Sequence, residues 1–319
     1  MKPIKHRLTD DHGEWLRQRN KGIGGSDAGA AMGLNKWESP FTLWAEKTGL
    51  LEPDNRDSES MRQGRDFEGY VAKRFCEETG KRVRRSGYSF QSEEHPWMLA
   101  NIDRKVVGEN AGLECKTANI FADDSYMKGD IPMHYYCQCL HYMAVCGFDR
   151  MYLATLIFGR NFHVFTIDRS DPGVEDDIQA LIESEKAFWE LVESKTPPEV
   201  DGSDSTQDTL KQLNPADSST PVVDLQGFES LLDERSELKA SIDEMKDRVS
   251  TIENLIRADL GSSETGRSES YNVTWKAATR TMFDSKALKK DHPNLYDQYS
   301  SQAETRTLRI TKKKEKKSK

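Results

Sequence analysis

The stretch Ala100 to Asn119, ANIDRKVVGENAGLECKTAN, decides the fold. Two apolar-leaning segments flank Gly108-Glu109-Asn110-Ala111-Gly112, a cluster of turn formers, so the pattern predicts a β-hairpin. Side chains alternate faces along a strand, which puts Glu114 and Lys116 on one face and Leu113, Cys115 and Thr117 on the other. Asp103 lies on the partner strand, where the turn can bring it close to Glu114. Such a carboxylate pair supplies hard oxygen ligands of the kind Mg²⁺ or Mn²⁺ takes. A lysine beside it can orient or deprotonate a water and stabilise developing negative charge. The same residues also suit a solvated strand face with a salt bridge. The flanking sequence decides between the two.

Working outward, 319 residues suffice for one large or two modest domains with real cores. No apolar run reaches the roughly 18 to 20 residues of a transmembrane helix, and the start, MKPIKHRLTDDHGEW, has no apolar leader segment, so a cytoplasmic protein with no membrane partner is expected. The cysteines (Cys76, Cys115, Cys137, Cys139 and Cys146) are odd in number and form no CxxC pair. That argues against a disulfide framework, a zinc site or an iron–sulfur cluster, and for a reducing compartment. The net charge of −8 is unevenly spread: 171–260 carries 23 acidic against 8 basic side chains, net −15, which leaves +7 elsewhere. A basic remainder ending in a lysine-rich tail permits phosphate-backbone binding without demanding it.

Upstream, Gly22-Ile23-Gly24-Gly25-Ser26-Asp27 reads as a tight glycine turn entering a small-residue helix, with Ser26 or Asp27 as N-cap. Backbone N–H groups there, with Ser26 and the nearby Arg19, would form an anion pocket. Its spacing matches neither a Walker A loop nor a dinucleotide fingerprint. Ser39-Pro40 starts a second helix, and Ser60 to Thr79 forms a third that ends at Gly80. Glu68 sits on or beside that third helix's apolar stripe, where a carboxylate needs a partner. Strands are predicted over Arg82–Phe90 and Met98–Val107, then a helix from Ile131-Pro132 to Gly147 on which Tyr135, Gln138 and Tyr142 share one face. Strands Met151–Phe158 and Asn161–Asp168 and a helix from Gly173 to Ser194 complete a mixed α/β domain, a central sheet with helices packed on it.

The domain boundaries read 1–195 for this unit, 196–224 for a Pro/Ser/Asp-rich linker, 225–260 for a heptad-patterned helical (coiled-coil) arm, 261–311 for a small α/β appendage and 312–319 for a basic tail. In the arm, Arg235 is the polar break in an apolar seam at alternating three- and four-residue steps; a hairpin partner, another subunit or the domain before it could cover that seam. The appendage is expected as strands at Tyr271–Trp275 and Thr305–Ile310 around a helix at Asp284–Lys290.

Arg19 followed by GIGGSDA (Gly22 to Ala28), SPFTLWAEKTG (Ser39 to Gly49), GRDFEGYVAKRF (Gly64 to Phe75), ANIDR (Ala100 to Arg104), LECKT (Leu113 to Thr117) and YxxQ (Tyr135 to Gln138) form an ordered set. Together they resemble the YqaJ-like viral recombinase family, phage-type alkaline exonucleases related to the lambda exonuclease within the PD-(D/E)XK superfamily. The resemblance implies a restriction-endonuclease-like core and a Mg²⁺-dependent 5′→3′ exonuclease, with Mn²⁺ as a substitute metal. It would act on linear double-stranded DNA and expose 3′ single strands for a single-strand annealing partner in phage or prophage recombination. It also implies a homo-oligomer, a trimer in the family, and site roles residue by residue. Asp103, Glu114 and the main-chain carbonyl of Cys115 would hold the metal, and Lys116 would activate or orient the attacking water. Glu68 would hold that water or a second metal, Gln138 and Tyr135 would orient the lysine or the scissile phosphate, and Arg19 and Ser26 would bind a terminal 5′-phosphate. Ile102 stands where the superfamily's name has proline. The rival expectations are an endonuclease or end-trimming repair nuclease on the same core, and a non-catalytic DNA-binding scaffold acting through the arm.

Overall fold

The computed structural model describes residues 3–7, 13, 18–52, 58–119, 126, 128–216, 219, 222–301 and 306–313. The chain divides into two compact units, Met1–Pro215 and Ala216–Lys319. In chain order the first unit contains β1 (Ile4–Arg7), β2 (Ile23–Gly24), α1 (Gly25–Ala31), α2 (Pro40–Lys47), α3 (Glu59–Thr79), β3 (Val83–Arg84), β4 (Tyr88–Gln91), β5 (Met98–Ala100), β6 (Arg104–Val106), β7 (Ala111–Ala118), α4 (Met133–Cys146), β8 (Arg150–Ile157), β9 (Phe162–Asp168), α5 (Val174–Ser194) and α6 (Asp204–Leu213). Local chemistry sets the helix ends. Ser39 and Ser58 accept from backbone N–H groups at the starts of α2 and α3, and Gly80 and Gly147 close α3 and α4 in the left-handed conformation.

The main sheet has the order β3-β6-β7-β8-β9. Strand β7 is antiparallel to β6 and parallel to β8, and α4 makes the crossover between β7 and β8. Helices cover both faces. Val71 and Phe75 of α3 pack with Leu113, Tyr152 and Ala154 on one, while Leu140 and Met143 of α4 and Ile178 and Leu181 of α5 pack with Met151 and Leu153 on the other. The predicted mixed sheet between helices is present.

Two predicted strands are divided differently. Arg82–Phe90 splits into β3 and β4, and Met98–Val107 splits into β5 and β6; β4 and β5 belong to a second sheet of order β1-β4-β5-β2. Gly87, at φ +68, turns the chain between β3 and β4. Alternation of side chains shows that a strand is half-buried; it does not show that the strand changes neighbours midway. The exposed β1 has no buried face to mark it, and the sequence reading missed it. The N-cap of α1 is Gly24 rather than Ser26 or Asp27, and the Asp27 carboxylate accepts from the Gly24 N–H at 3.1 Å.

The stretch read as a linker contains α6, and the compact unit continues to Pro215. Its Ser/Thr/Asp composition is that of a loop, but Thr206 and Thr209 are buried. Thr206 donates to Ser39 Oγ at 2.8 Å, and Thr42 shares hydrogen bonds with Ser205 at 2.7 Å and Thr209 at 2.8 Å. A seam of hydroxyls docks this helix on α2 and gives no hydrophobic period to read.

The second unit contains α7 (Glu229–Leu260), the antiparallel pair β10 (Thr265–Arg267) and β11 (Asn272–Thr274), α8 (Ser285–Asp291) and α9 (Pro293–Gln298). β11 and α8 match the expected strand and helix. The expected strand at Thr305–Ile310 is absent over 306–310, and β10 supplies the partner instead; Thr305 and tail residues 314–319 lie outside the described residues. No described helix is long and apolar enough to cross a membrane.

Helices α4 and α5 are joined at the fully buried His141 and Glu185, with Nδ1 2.8 Å from the carboxylate and Nε2 2.9 Å from the Leu99 carbonyl oxygen. A carbonyl only accepts, so Nε2 carries a proton, and the carboxylate favours a second proton on Nδ1. Burial pushes the imidazole pKa down, but Glu185 and the Leu99 carbonyl outweigh it and raise the value above 6.5. The stability from this pair is therefore fully present below about pH 6.5 and is lost as pH rises through the raised folded value. Urea unfolding of the wild type should lose free energy over that alkaline window, and His141→Gln should lack that component of the slope. Where α1 meets α4, a Cβ on Gly25 would lie 2.3 Å from Cε1 of Tyr142. Gly25→Ala should cost about 1–3 kcal/mol in the same assay, the usual cost of overpacking a core.

Candidate active site

Asp103 closes the gap between β5 and β6. Its Oδ2 accepts the Cys115 N–H at 2.8 Å, so the side chain spans from the end of one strand onto β7. Opposite it, Glu114 is 4 % exposed in the middle of the sheet. Its Oε1 is bonded twice, by Lys116 Nζ at 2.8 Å and by Gln138 Nε2 at 2.7 Å. Its Oε2 is buried and has no hydrogen-bond partner among the described residues. Burial, and then the negative charge of Glu114, holds Asp103 well above the usual carboxylate range. For Lys116 burial works against the ammonium, but Glu114, Tyr135 and Asp103 more than offset it and keep it charged.

The facing helix supplies the remaining contacts on this side of the sheet. Lys116 Nζ sits 4.8 Å from the centre of the Tyr135 ring, a cation–π contact. Gln138 donates to Glu114 and also to the Tyr142 hydroxyl at 2.9 Å. The structure thus joins Gln138 to Glu114 and Tyr135 to Lys116, whereas the sequence expectation had both residues orienting the lysine or the phosphate. Tyr142 was read as sharing their face, but without a site role. Cys115 packs against the apolar cluster on the α3 side, consistent with a thiol directed away from the carboxylates.

Glu68 is not joined to the carboxylate pair. It reaches the start of β6 from α3, where its Oε1 is bonded by Arg104 and lies 3.7 Å from Arg85. Arg104, itself largely buried, also donates to the Asp103 main-chain carbonyl at 2.8 Å, so it ties the helix to the strand end that carries Asp103. Sequence reasoning missed Arg104; its position next to Asp103 in ANIDR was the available signal.

Arg19 and Ser26 are brought together, with the guanidinium donating to Ser26 Oγ at 2.8 Å. The same guanidinium pairs with Asp27 at 2.7 Å, and Lys47 from α2 pairs with the other Asp27 oxygen at 2.6 Å. Burial raises the Asp27 pKa, but Lys47 and Arg19 outweigh it and hold the group well below the usual carboxylate range. Nearby Glu38 is pushed up to about 8 by burial and then by Asp27 and Glu46. Two cations, Arg19 and Lys47, thus share the one buried Asp27 carboxylate in this corner. The sequence reading took Asp27 only as a possible N-cap and did not single out Lys47. Tyr142 packs on Gly25 of α1, so the corner and the carboxylates share one wall.

The donor set suits a divalent cation. A buried carboxylate oxygen without a partner is costly, and a second carboxylate held above its normal range beside it is the state a cation would reverse. Asp103 and Glu114 offer hard oxygens of the type Mg²⁺ and Mn²⁺ prefer. Among the described residues, no group of three or more His, Cys, Asp or Glu side chains converges as a metal cage, so these two carboxylates would need main-chain or solvent oxygens to complete a ligand set.

The profile of the YqaJ-like viral recombinase domain matches residues 14–149, a span that includes Asp103, Glu114, Lys116, Gln138 and the Arg19 corner. Uncharacterized protein YqaJ of Bacillus subtilis (strain 168) is 34 % identical over 301 residues, covering 93 % of each chain. Among solved structures, LHK-Exo in complex with dAMP aligns with a TM-score of 0.48 at 19 % identity, over 63 % of this chain and 96 % of its own. The alkaline exonuclease LHK-Exo from Laribacter hongkongensis aligns with a TM-score of 0.45 at 20 % identity, over 57 % and 97 %. A phage-related exonuclease from Haemophilus somnus 129PT aligns with a TM-score of 0.41 at 13 % identity, over 57 % and 99 %. With a full-length relative at this identity and the domain profile lying across the site, the chain belongs to the YqaJ-like viral recombinase family.

Proposed function

We propose that this protein is a divalent-metal-dependent exonuclease that degrades linear double-stranded DNA from 5′ ends. Its products would be 3′ single strands for a single-strand annealing protein in phage-type recombination, within the bacterial host cell. The observation that carries the reading is Glu114: buried, bonded through one oxygen by Lys116 and Gln138, with the other oxygen unpartnered among the described residues and its charge acting on Asp103.

Asp103 and Glu114 would hold Mg²⁺, or Mn²⁺ in its place, with the Cys115 carbonyl as a further ligand. The bound ion would supply charge neutralisation at the phosphoryl oxygens and a water of lowered pKa. The chain's own residues do the rest. Lys116, kept as an ammonium on the Tyr135 ring, orients the attacking water and stabilises charge developing on the phosphate. Gln138 fixes the Glu114 rotamer, and Tyr142 holds Gln138. Glu68, paired with Arg104 beside Asp103, would hold that water or a second metal. Arg19 and Ser26 receive a terminal 5′-phosphate, with Arg19 oriented by Asp27. Hydrolysis of this kind needs no covalent nucleophile, so the cysteines have no chemical part. Self-association would keep the enzyme on its duplex between cuts.

End-labelled linear duplexes carrying a 5′-phosphate or a 5′-hydroxyl, alongside a circular duplex, test the reading in one gel. Shortening of the linear substrates from the 5′ end, only with Mg²⁺ or Mn²⁺, is expected. Digestion of the circle would make the protein an endonuclease, and no cleavage of any substrate would remove the enzyme reading. Asp103→Asn and Lys116→Ala should each lower the rate by about 10²-fold or more while leaving duplex binding by fluorescence anisotropy intact. Asp103→Asn should also abolish the rise in melting temperature that Mg²⁺ gives the wild type. Arg19→Ala should equalise the two linear substrates. Cys115→Ser should leave the rate near that of the wild type, because only its main chain takes part.

A further inference from the structure

Strands β3 and β6 set two cations directly opposite each other, Arg84 and Lys105. Like charges in that position destabilise a strand pair. Val83 and Val106 pack in the cluster on the α3 side, so their neighbours Arg82, Arg84 and Lys105 turn to the opposite face. Arg82 is still in the ladder, its carbonyl accepting the Val107 N–H at 2.8 Å. Lys105 Nζ lies 4.3 Å from the centre of the Phe90 ring. Phe90 stands opposite Lys5 of β1, and two residues away Tyr88 stands opposite Arg7. The face where the two sheets meet thus gathers Lys5, Arg7, Arg82, Arg84 and Lys105 around a tyrosine that is 45 % exposed.

Neighbouring Lys81 and Arg85 have carboxylate partners, Glu109 and Glu68. Among the described residues the gathered cations have none, in a chain whose net charge is −8. Burial lowers the Lys105 pKa below the usual lysine value, and the charges of Lys5 and Arg84 lower it further. Cations on an edge strand keep it from pairing with another sheet, and β1 and β3 are edges. Lys105 is on β6, which is paired on both sides. Edge protection therefore does not account for it, and the sheet carries a repulsion that a polyanion would relieve.

We propose that this face binds the phosphodiester backbone of DNA, at a site separate from the carboxylates. That the polyanion is DNA rests on the function proposed above; the electrostatics do not. Lys105 is opposite Gly112 at the start of β7 and 5.4 Å from the Phe148 ring, just past the end of α4. Lys116 instead meets Tyr135 in the first turn of that helix. Tyr135 and Cys146 are about 16 Å apart along α4 at 1.5 Å per residue, roughly the rise of five base pairs. A strand cut at the carboxylates thus meets this face several nucleotides from the scissile bond. The cations release counterions as they neutralise phosphates, and the Tyr88 ring can stack on a base.

Fluorescence anisotropy of the full-length protein without divalent metal tests the face. The probes are a duplex of about 20 base pairs and a single strand of equal length, between about 50 and 200 mM salt. Arg84→Gln combined with Lys105→Gln should weaken binding about tenfold at the low-salt end. It should also flatten the plot of log affinity against log salt by about 1.8 on the duplex or about 1.4 on the single strand, the loss of two phosphate contacts. Arg84→Lys combined with Lys105→Arg keeps both charges and should keep affinity and slope. A loss on either probe or both supports the inference, and the probe affected identifies the backbone as duplex or exposed strand. Unchanged affinity and slope on both probes would overturn it, as would an equal loss in the charge-preserving pair. Cleavage plays no part in these readouts. A protein that binds through this face but cuts nothing would sink the nuclease reading alone, and one that cuts while these variants bind normally would sink this inference alone.

Discussion

The first unit is arranged around a carboxylate that should not be buried alone. Removing an ion from water costs several kcal/mol even after relaxation, and Glu114 sits in the middle strand with helices over both faces of the sheet. Lys116 and Gln138 compensate through one oxygen only. The parallel crossover from β7 to β8 makes this possible, because it lays α4 across the face that Glu114 and Lys116 share. Tyr135, Gln138 and Tyr142 then meet the strand in sequence, each touching a different member of the cluster or the next residue along.

The same helix couples two sites. Tyr142 accepts a hydrogen bond from Gln138 and packs where a side chain on Gly25 would stand, so α1 can approach only because that residue is glycine. The Asp27 carboxylate in α1 draws Arg19 and Lys47 into one corner. On the other face of the sheet Arg104 performs a related task, linking Glu68 of α3 to the main chain at Asp103. Charged side chains thus tie the elements to one another at the site.

The second unit follows a different logic. Its long helix carries an apolar seam at alternating three- and four-residue steps and buries no side chain.

What the sequence by itself determined is what local spacing encodes. Helix boundaries at Ser39, Gly80 and Gly147, the β7 alternation that pairs Glu114 with Lys116, and the heptads of α7 were all legible, because caps, period two and period 3.5 are properties of neighbouring residues. The ordered motifs also pointed to the family that the comparisons show. Only the tertiary structure decided that Met98–Val107 serves two sheets, that a stretch with a linker's composition docks through hydroxyls on α2, and that Glu68 is held by Arg104. It also decided that Asp27 organises Arg19 and Lys47. These are long-range pairings between polar groups. A polar side chain carries the same local signature whether it faces water or a partner many residues away, and only the folded chain distinguishes the two.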